Sequence, residues 1–151
     1  MMKKENAVEQ IEDCISFLIG KAGQQVTRRA RELLAPHGVT PVQYAVLKIL
    51  AEDDGISGSD LGSRMKLDSA SITGVVDRME SLGLVERLSD AEDRRVQRIY
   101  ATGKGCSLQG PLDAAMDRLN AEAAAVLGGE AAGLPRHLRL LGERKNWMHL
   151  I

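Results

Sequence analysis

The sequence predicts a mainly α-helical domain interrupted once by a β-hairpin, and three observations lead there. Apolar residues recur in steps of three and four through most of the chain, as one face of a helix requires. The chain has 4 prolines in 151 residues and 3% aromatic side chains, so its core is aliphatic and rich in helix-tolerated residues. Between Leu84 and Ala101 the period drops to two, as in a pair of half-buried strands. The resulting order is α-α-α-α-β-β-α-α. The length suits one domain and is enough to bury roughly two-thirds of the surface an unfolded chain exposes.

The first helix is read from Val8 to Ala35, with Ile11, Ile15, Leu18, Ile19, Ala22, Val26, Ala30, Leu33 and Leu34 on one stripe. So long a stripe suggests packing against a partner subunit. Pro36, His37 and Gly38 end it. Thr40 then caps a second helix that starts at Pro41, where the missing N–H costs nothing, and buries Val42, Ala45, Val46, Ile49 and Leu50. Ser57, with Asp60 three residues on, approximates a capping box for a short third helix through Leu61 and Met65.

A turn at Lys66-Leu67-Asp68 leads to a fourth helix, Ser69 to Leu82. Its apolar face is Ile72, Val75, Val76, Met79 and Leu82, and Gly83 stops it. The hairpin pairs Leu84–Leu88 with Val96–Ala101 across the charged loop Ser89–Arg95. A fifth helix runs from Lys104 to Leu127, with Leu108, Leu112, Ala115, Met116, Leu119 and Ala123 in phase. After "GGEAAGLPR" a last helical piece ends near Trp147.

Catalytic and metal chemistry find no foothold. Gly103-Lys104-Gly105 lacks the upstream glycine of a phosphate loop, with Arg98 at that spacing. His37, His137 and His149 stand alone, and neither Cys14 nor Cys106 belongs to a metal-ligand pair. The expectation is therefore a non-enzyme with no cofactor. No run is long and apolar enough for a membrane span and nothing resembles a signal peptide, so a cytoplasmic protein is expected. The net charge of −1 settles nothing about nucleic acid, because phosphate contact depends on where cations sit.

The third and fourth helices and the hairpin say more. Two short helices joined by a tight turn form a helix-turn-helix pattern. The outer face of the second (Ser69, Ser71, Thr73, Gly74, Asp77 and Arg78) is small or hydrogen-bonding, as entry into a major groove about 12 Å wide requires. The hairpin that follows is a wing, with Arg94 and Arg95 in its loop and Arg87 and Arg98 on its strands. An arginine at a hairpin tip suits the electronegative minor groove. The competing reading is an exposed loop in which Asp90, Glu92 and Asp93 merely neutralise those arginines.

The stretch "LDSASITGVVDRMESLGLVERLSDAEDRRVQRIYATGKG" (Leu67–Gly105) closely resembles the multiple-antibiotic-resistance regulator (MarR) family of winged-helix transcription factors, and "GVTPVQYAVLKIL" (Gly38–Leu50) looks like that family's second helix. The resemblance implies a winged helix-turn-helix over residues 38–103 and a helical dimerisation region over residues 8–35 and 104–151. It implies a homodimer reading a pseudo-palindromic double-stranded DNA operator, with a small effector tuning affinity. It places Ser69, Ser71, Thr73 and Arg78 on the recognition helix and Asp93, Arg94 and Arg95 in the wing, Asp93 bracing Arg95 for the minor groove. Gly74 departs from the pattern, since many members carry a larger, often basic residue there.

For the input signal, the resemblance implies a cleft between dimer helices and winged domain. Phe17, His37, Tyr44 and Met116 are its candidate lining, with Arg28 or Arg29 for a carboxylate or phosphate. An aromatic acid or its CoA thioester is the ligand class expected to release a repressor from DNA. One branch of the family senses organic peroxide through a cysteine in the first helix. Aligned on "TPVQY", that cysteine falls on Ser16, and its supporting tyrosines fall on Gly20 and Ala30. Cys14 would then face elsewhere, and Glu12 and Asp13 are expected to raise its pKa. A peroxide-sensing repressor using Cys14 and a ligand-independent DNA-binding or helical interaction protein stand as alternatives.

Overall fold

The computed structural model describes residues 8–144 and 147, which fall into two compact units that meet in sequence at Met116 and Asp117. In the first unit, a 3-10 turn (Ile11–Asp13) precedes α1 (Ile15–Leu34), α2 (Pro41–Glu52), β1 (Ile56–Ser57), α3 (Gly58–Met65) and α4 (Ser69–Ser81). Strands β2 (Val85–Ser89) and β3 (Gln97–Ala101) follow, then α5 (Gly103–Leu127), whose last residues belong to the second unit. That unit continues through a 3-10 segment (Gly128–Gly133) to α6 (Leu134–Glu143). The element order is that of a winged helix, mainly helical with one small sheet.

Local chemistry sets the element boundaries. Thr40 and Gln43 cap α2 reciprocally: the Gln43 N–H donates to Thr40 Oγ1 at 3.3 Å and the Thr40 N–H to Gln43 Oε1 at 3.0 Å. That duty accounts for Gln43 being buried although polar. α4 ends in a Schellman arrangement, Gly83 N–H to Glu80 O at 2.9 Å and Leu84 N–H to Met79 O at 2.9 Å, with Gly83 at φ 71°. Leu84 is thereby delivered into the core.

The core of the first unit gathers Leu34, Val46, Leu47, Leu50, Ile56, Leu61, Val76, Met79, Val85, Ile99 and Leu112, so every helix from α1 to α5 and all three strands contribute. Fixing α3, α4 and the hairpin against one aliphatic cluster is what holds their outer faces in a set relation. Gly105 marks the tightest point, where a Cβ would lie 2.2 Å from the Leu84 carbonyl oxygen.

Several expectations need correction. α1 begins at Ile15, because Cys14 takes an extended conformation (φ −76°, ψ 120°) that breaks the run begun at Ile11. The sheet has three strands in the order β1-β3-β2, all antiparallel. β1, which pairs Ile56 with Ile99 and Ser57 with Arg98, is too short to show alternation in sequence. Ser57 Oγ caps α3 by accepting from the Asp60 N–H at 3.1 Å, but only this half of the capping box forms. Val42 and Leu82 are exposed rather than buried, while Leu47 lies in the core. Regular structure among the described residues stops at Glu143, short of the exposed Trp147, and His149 lies outside the described residues.

On α1 only Ala30 and Leu34 are buried; Ile15, Leu18, Ile19 and Val26 of its stripe face outward. The second unit likewise exposes Leu134, Leu138, Leu140 and Leu141 on α6. No helix among the described residues is long and apolar enough to cross a membrane.

Candidate nucleic-acid interface

α4 is set up at its first turn by Asp68, whose Oδ1 accepts from the Ser71 N–H at 2.7 Å. Backbone and side-chain hydrogen bonds from Ser71 hold the Asp68 carboxyl below its usual pKa. Ile72, Val75, Val76 and Met79 fix the inner face in the core, leaving Ser69, Ser71, Thr73, Asp77 and Arg78 exposed on the other. Sequence reading took Asp68 for part of a turn, although Asp before Ser-Ala-Ser is a helix-start signal.

Arg87 on β2 ties the hairpin to this helix. Its Nη2 lies 2.6 Å from Asp77 Oδ1 and donates to the Thr73 carbonyl at 3.3 Å, while Nη1 donates to Glu80 Oε1 at 3.3 Å. With its side chain only 19% exposed, Arg87 is an internal clamp rather than a free cation.

The loop between β2 and β3 is organised by two aspartates. Asp90, with its side chain 15% exposed, accepts at Oδ1 from the Glu92 and Asp93 N–H groups at 2.8 and 3.2 Å. Its Oδ2 accepts from Arg98 Nε at 2.5 Å, and Arg98 Nη1 reaches the Gly55 carbonyl at 2.9 Å. Asp90 is thus the hub of an Asx turn, and Arg98 bolts that turn to the segment before β1. The Arg98 bond, then the two N–H groups, hold the Asp90 carboxyl below its usual pKa.

Asp93 next takes Arg95 in a bidentate grip, Nε to Oδ1 at 3.0 Å and Nη2 to Oδ2 at 3.1 Å, and also accepts the Arg95 N–H at 3.1 Å. Arg95 holds the Asp93 carboxyl low, and Asp93 in turn raises the Arg95 guanidinium. Arg94 is exposed and makes no ion pair among the described residues, nor does Arg78. The loop acids therefore do more than neutralise. Asp90 shapes the loop and Asp93 aims one arginine.

A cleft of about 630 Å³ runs between α3, α4 and the hairpin, lined among others by Ser63, Ser69, Thr73, Arg87, Gln97 and Arg95. Three expected contact residues, Ser69, Thr73 and Arg95, share it, whereas Ser71, Arg94 and Asp93 do not line it. Arg78 lies beside a shallower depression with Gln43, Asp77, Ser81 and Leu82.

Neither cleft is lined by any of the six residues expected around an effector. Phe17 is exposed on α1, and Arg28 and Arg29 both pair with Glu32, at 3.4 and 3.0 Å. His37 is half-buried in the turn after α1. Tyr44 and Met116 pack against the core, and the Tyr44 hydroxyl donates to Asp113 Oδ1 at 2.9 Å. Asp113 also accepts from Lys48 Nζ at 2.8 Å and Gln109 Nε2 at 3.0 Å, and the Lys48 bond leads in holding its carboxyl low.

Cys14 corrects a further expectation. It is the N-cap of α1, with Sγ 3.2 Å from Ser16 Oγ. That hydroxyl, then the Phe17 and Ser16 N–H groups, lower the thiol pKa, where a rise from Glu12 and Asp13 was expected.

The comparisons with known proteins agree with this architecture. A model described as MarR family matches residues 39–96, from just before α2 to the end of the wing loop. The chain is 37% identical over 105 residues to the HTH-type transcriptional regulator TtmR of Methylorubrum extorquens (strain PA1), covering 70% of this chain and 54% of that protein. It is 30% identical over 100 residues to an organic hydroperoxide resistance transcriptional regulator of Bacillus subtilis (strain 168), covering 66% and 68% respectively. The chain thus spans between half and about two-thirds of the length of these two relatives. Among solved structures, CouR from Rhodococcus jostii RHA1 bound to p-coumaroyl-CoA superposes with a TM-score of 0.78 at 26% identity, covering 92% of this chain and 99% of that one. By the helix-turn-helix and braced wing and by these matches together, the chain belongs to the MarR family.

Proposed function

We propose that the protein is a homodimeric, sequence-specific DNA-binding transcriptional repressor that acts by binding rather than catalysis and is released from its operator by a small organic ligand. The observation that carries this reading is the wing: a guanidinium 91% exposed yet fixed by a bidentate carboxylate, beside a helix whose outer face is small and hydroxylated. A cation so presented fits a narrow, electronegative minor groove, while α4 fits the major groove. Ser69, Ser71, Thr73 and Arg78 are assigned to bases and phosphates of the major groove, Arg95 to the minor groove, and Arg94 to phosphate.

The exposed apolar residues of α1 and α6 support a helical dimer interface built from both ends of the chain. Two copies would read half-sites about one helical turn, near 34 Å, apart. A neighbouring structure bound to p-coumaroyl-CoA supports an aromatic acid or its thioester as ligand class. Such a protein works in the cytoplasm, where its operator is. An electrophoretic mobility shift against the intergenic DNA beside its own gene, with candidate effectors added, tests the whole reading. Failure to shift any fragment there in preference to competitor DNA would overturn it.

One observation favours a second reading of the signal. The Ser16 hydroxyl, 3.2 Å from Cys14 Sγ, lowers the thiol pKa and so eases its loss of a proton to a thiolate, and a relative is named for organic hydroperoxide resistance. Attack of that thiolate on a hydroperoxide would break the O–O bond, leaving a sulfenic acid on Cys14 and releasing the alcohol. Substitution of Cys14 separates the two readings.

A further inference from the structure

Glycines inside helices cost stability relative to alanine, so each one asks for a reason. Two in the first unit have structural ones. A Cβ on Gly62 would lie 3.3 Å from both Ile72 Cγ2 and the Leu67 carbonyl, and one on Gly105 would collide with the Leu84 carbonyl. Gly74, in the middle of α4, has none of this kind. The only atom a Cβ there would meet is Nη1 of Arg78, at 3.9 Å, an ordinary van der Waals separation. The fold therefore accepts alanine at position 74, and packing does not explain the glycine.

What does occupy the space above Gly74 is Arg78. In a helix, side chains lean toward the N-terminus and residues four apart share a face, so the Arg78 side chain lies back over Gly74. Its guanidinium has no ion pair among the described residues, and no cap or clamp consumes it, unlike Arg87 and Arg98. A side chain extending beyond Cβ at position 74 would contend with that guanidinium for the same volume.

We propose that Gly74 is a specificity-determining position of α4. By presenting no side chain it lets Arg78 lie across the middle of the helix and read the base pair that a residue at 74 would otherwise face. This rests on the DNA-binding reading above and deepens it. It pairs two positions into one reading unit, in which the glycine contributes by absence and the arginine by its bidentate donors.

The test is binding-site selection from a randomised duplex pool by the wild-type chain, Gly74→Ala, Gly74→Gln, Arg78→Ala and the Gly74→Gln/Arg78→Ala double variant, with thermal melts alongside. Gly74→Ala should melt at or above wild type and select the wild-type motif. Gly74→Gln should fold, because glutamine is a good helix former at an open site. It should lose about tenfold in affinity on the wild-type-selected duplex and blur the motif at the same base pairs as Arg78→Ala. Adding Gly74→Gln to Arg78→Ala should then lose little more, since the shared contact is already gone. If Gly74→Gln melts out, Gly74→Met serves in its place.

A Gly74→Gln chain that keeps the wild-type motif and affinity would overturn the coupling alone, as would a change at base pairs that Arg78→Ala leaves untouched. A wild-type chain that selects no motif would overturn the DNA-binding reading and the coupling with it.

Discussion

Asp93 grips Arg95 through both carboxylate oxygens, with Nε and Nη2 at 3.0 and 3.1 Å, while the arginine side chain stays 91% exposed. An exposed ion pair contributes little to stability, so its value lies elsewhere. A free arginine loses much rotamer entropy when it docks, and one already held in place loses less. Asp93 itself is reached by the Asp90 turn, and Asp90 by Arg98, so the wing tip is aimed through a chain of contacts that ends on the Gly55 carbonyl.

Removing the arginine should therefore cost more than removing its brace. Arg95→Ala should weaken operator binding by about 1–3 kcal/mol and relax selectivity over the base pairs beneath the wing. Asp93→Ala should cost less, since the cation remains but must be ordered on binding. Arg94→Ala should reduce the slope of log K against log salt by about one unit with little change in selectivity. Fluorescence anisotropy titrations at several salt concentrations read all three, and an Arg95→Ala chain that binds like wild type would remove the wing from the interface.

The same carboxylates make a forecast for pH. Arg95 holds the Asp93 carboxyl low, and Arg98 does so for Asp90. Both groups thus have folded-state pKa values below their unfolded ones. Their contribution to wing order is complete above the ordinary aspartate range, near 4, and is lost as pH falls through the lowered folded values. DNA affinity should show no wing-derived change between about pH 5 and 8. Amide protection at Glu92, Asp93 and Arg95, followed by NMR on acidification, should fail only below about pH 4. Loss of that protection near neutrality would contradict the brace.

Much of this arrangement was legible in the sequence, and the exceptions share a cause. Thr40-Pro41, Gly83 and the switch to a two-residue period between Leu84 and Ala101 are local signals, and the structure uses each where it was read. β1 was missed because two residues show no period; Ile56 becomes a strand only through its pairing with Ile99. The Asp90 partner of Arg98 lies eight residues away within the hairpin and could be read locally, but its second acceptor, the Gly55 carbonyl, is 43 residues away. The Tyr44 hydroxyl is held by Asp113 across 69 residues, which no local pattern announces. Cys14 was folded into a helix because apolar spacing continues through it, whereas its backbone turns extended to cap the next one.

The junction from hairpin to α5 should tolerate no added atom. Gly105→Ala places a Cβ 2.2 Å from the Leu84 carbonyl oxygen, which already accepts from the Thr102 N–H at 3.0 Å. Backbone must move, and a cost of about 2–3 kcal/mol is expected from overpacking of this kind. Gly20→Ala, inside α1 with nothing within 4 Å, should instead raise stability by about 0.4–1 kcal/mol. Urea melts of the two variants should move in opposite directions.

The exposed stripe on α1 should be covered in solution. Ile15, Leu18, Ile19 and Val26 contribute nothing to the core of the first unit, so Ile19→Glu should leave α3, α4 and the hairpin folded. It should shift sedimentation from dimer toward monomer and weaken binding to a two-half-site duplex far more than to a single half-site. A wild-type chain that sediments as a monomer at micromolar concentration would refute the dimer.

The last forecast concerns what releases the DNA. A ligand shifts the equilibrium only by its differential affinity for the free and DNA-bound forms, typically about 1–3 kcal/mol of coupling. By linkage the operator must weaken ligand binding by the same factor, which calorimetry with and without DNA can read. Oxidation of Cys14 makes a different claim, since its effect would be covalent and would vanish in Cys14→Ser. The Ser16 hydroxyl 3.2 Å from Cys14 Sγ leads in lowering the thiol pKa, but that side-chain partner is a hydroxyl and not a cation. We expect aromatic acids or their CoA thioesters to release operator from wild type and Cys14→Ser alike, with organic hydroperoxide releasing neither. Release by hydroperoxide from wild type alone would instead assign the signal to the thiol at the start of α1.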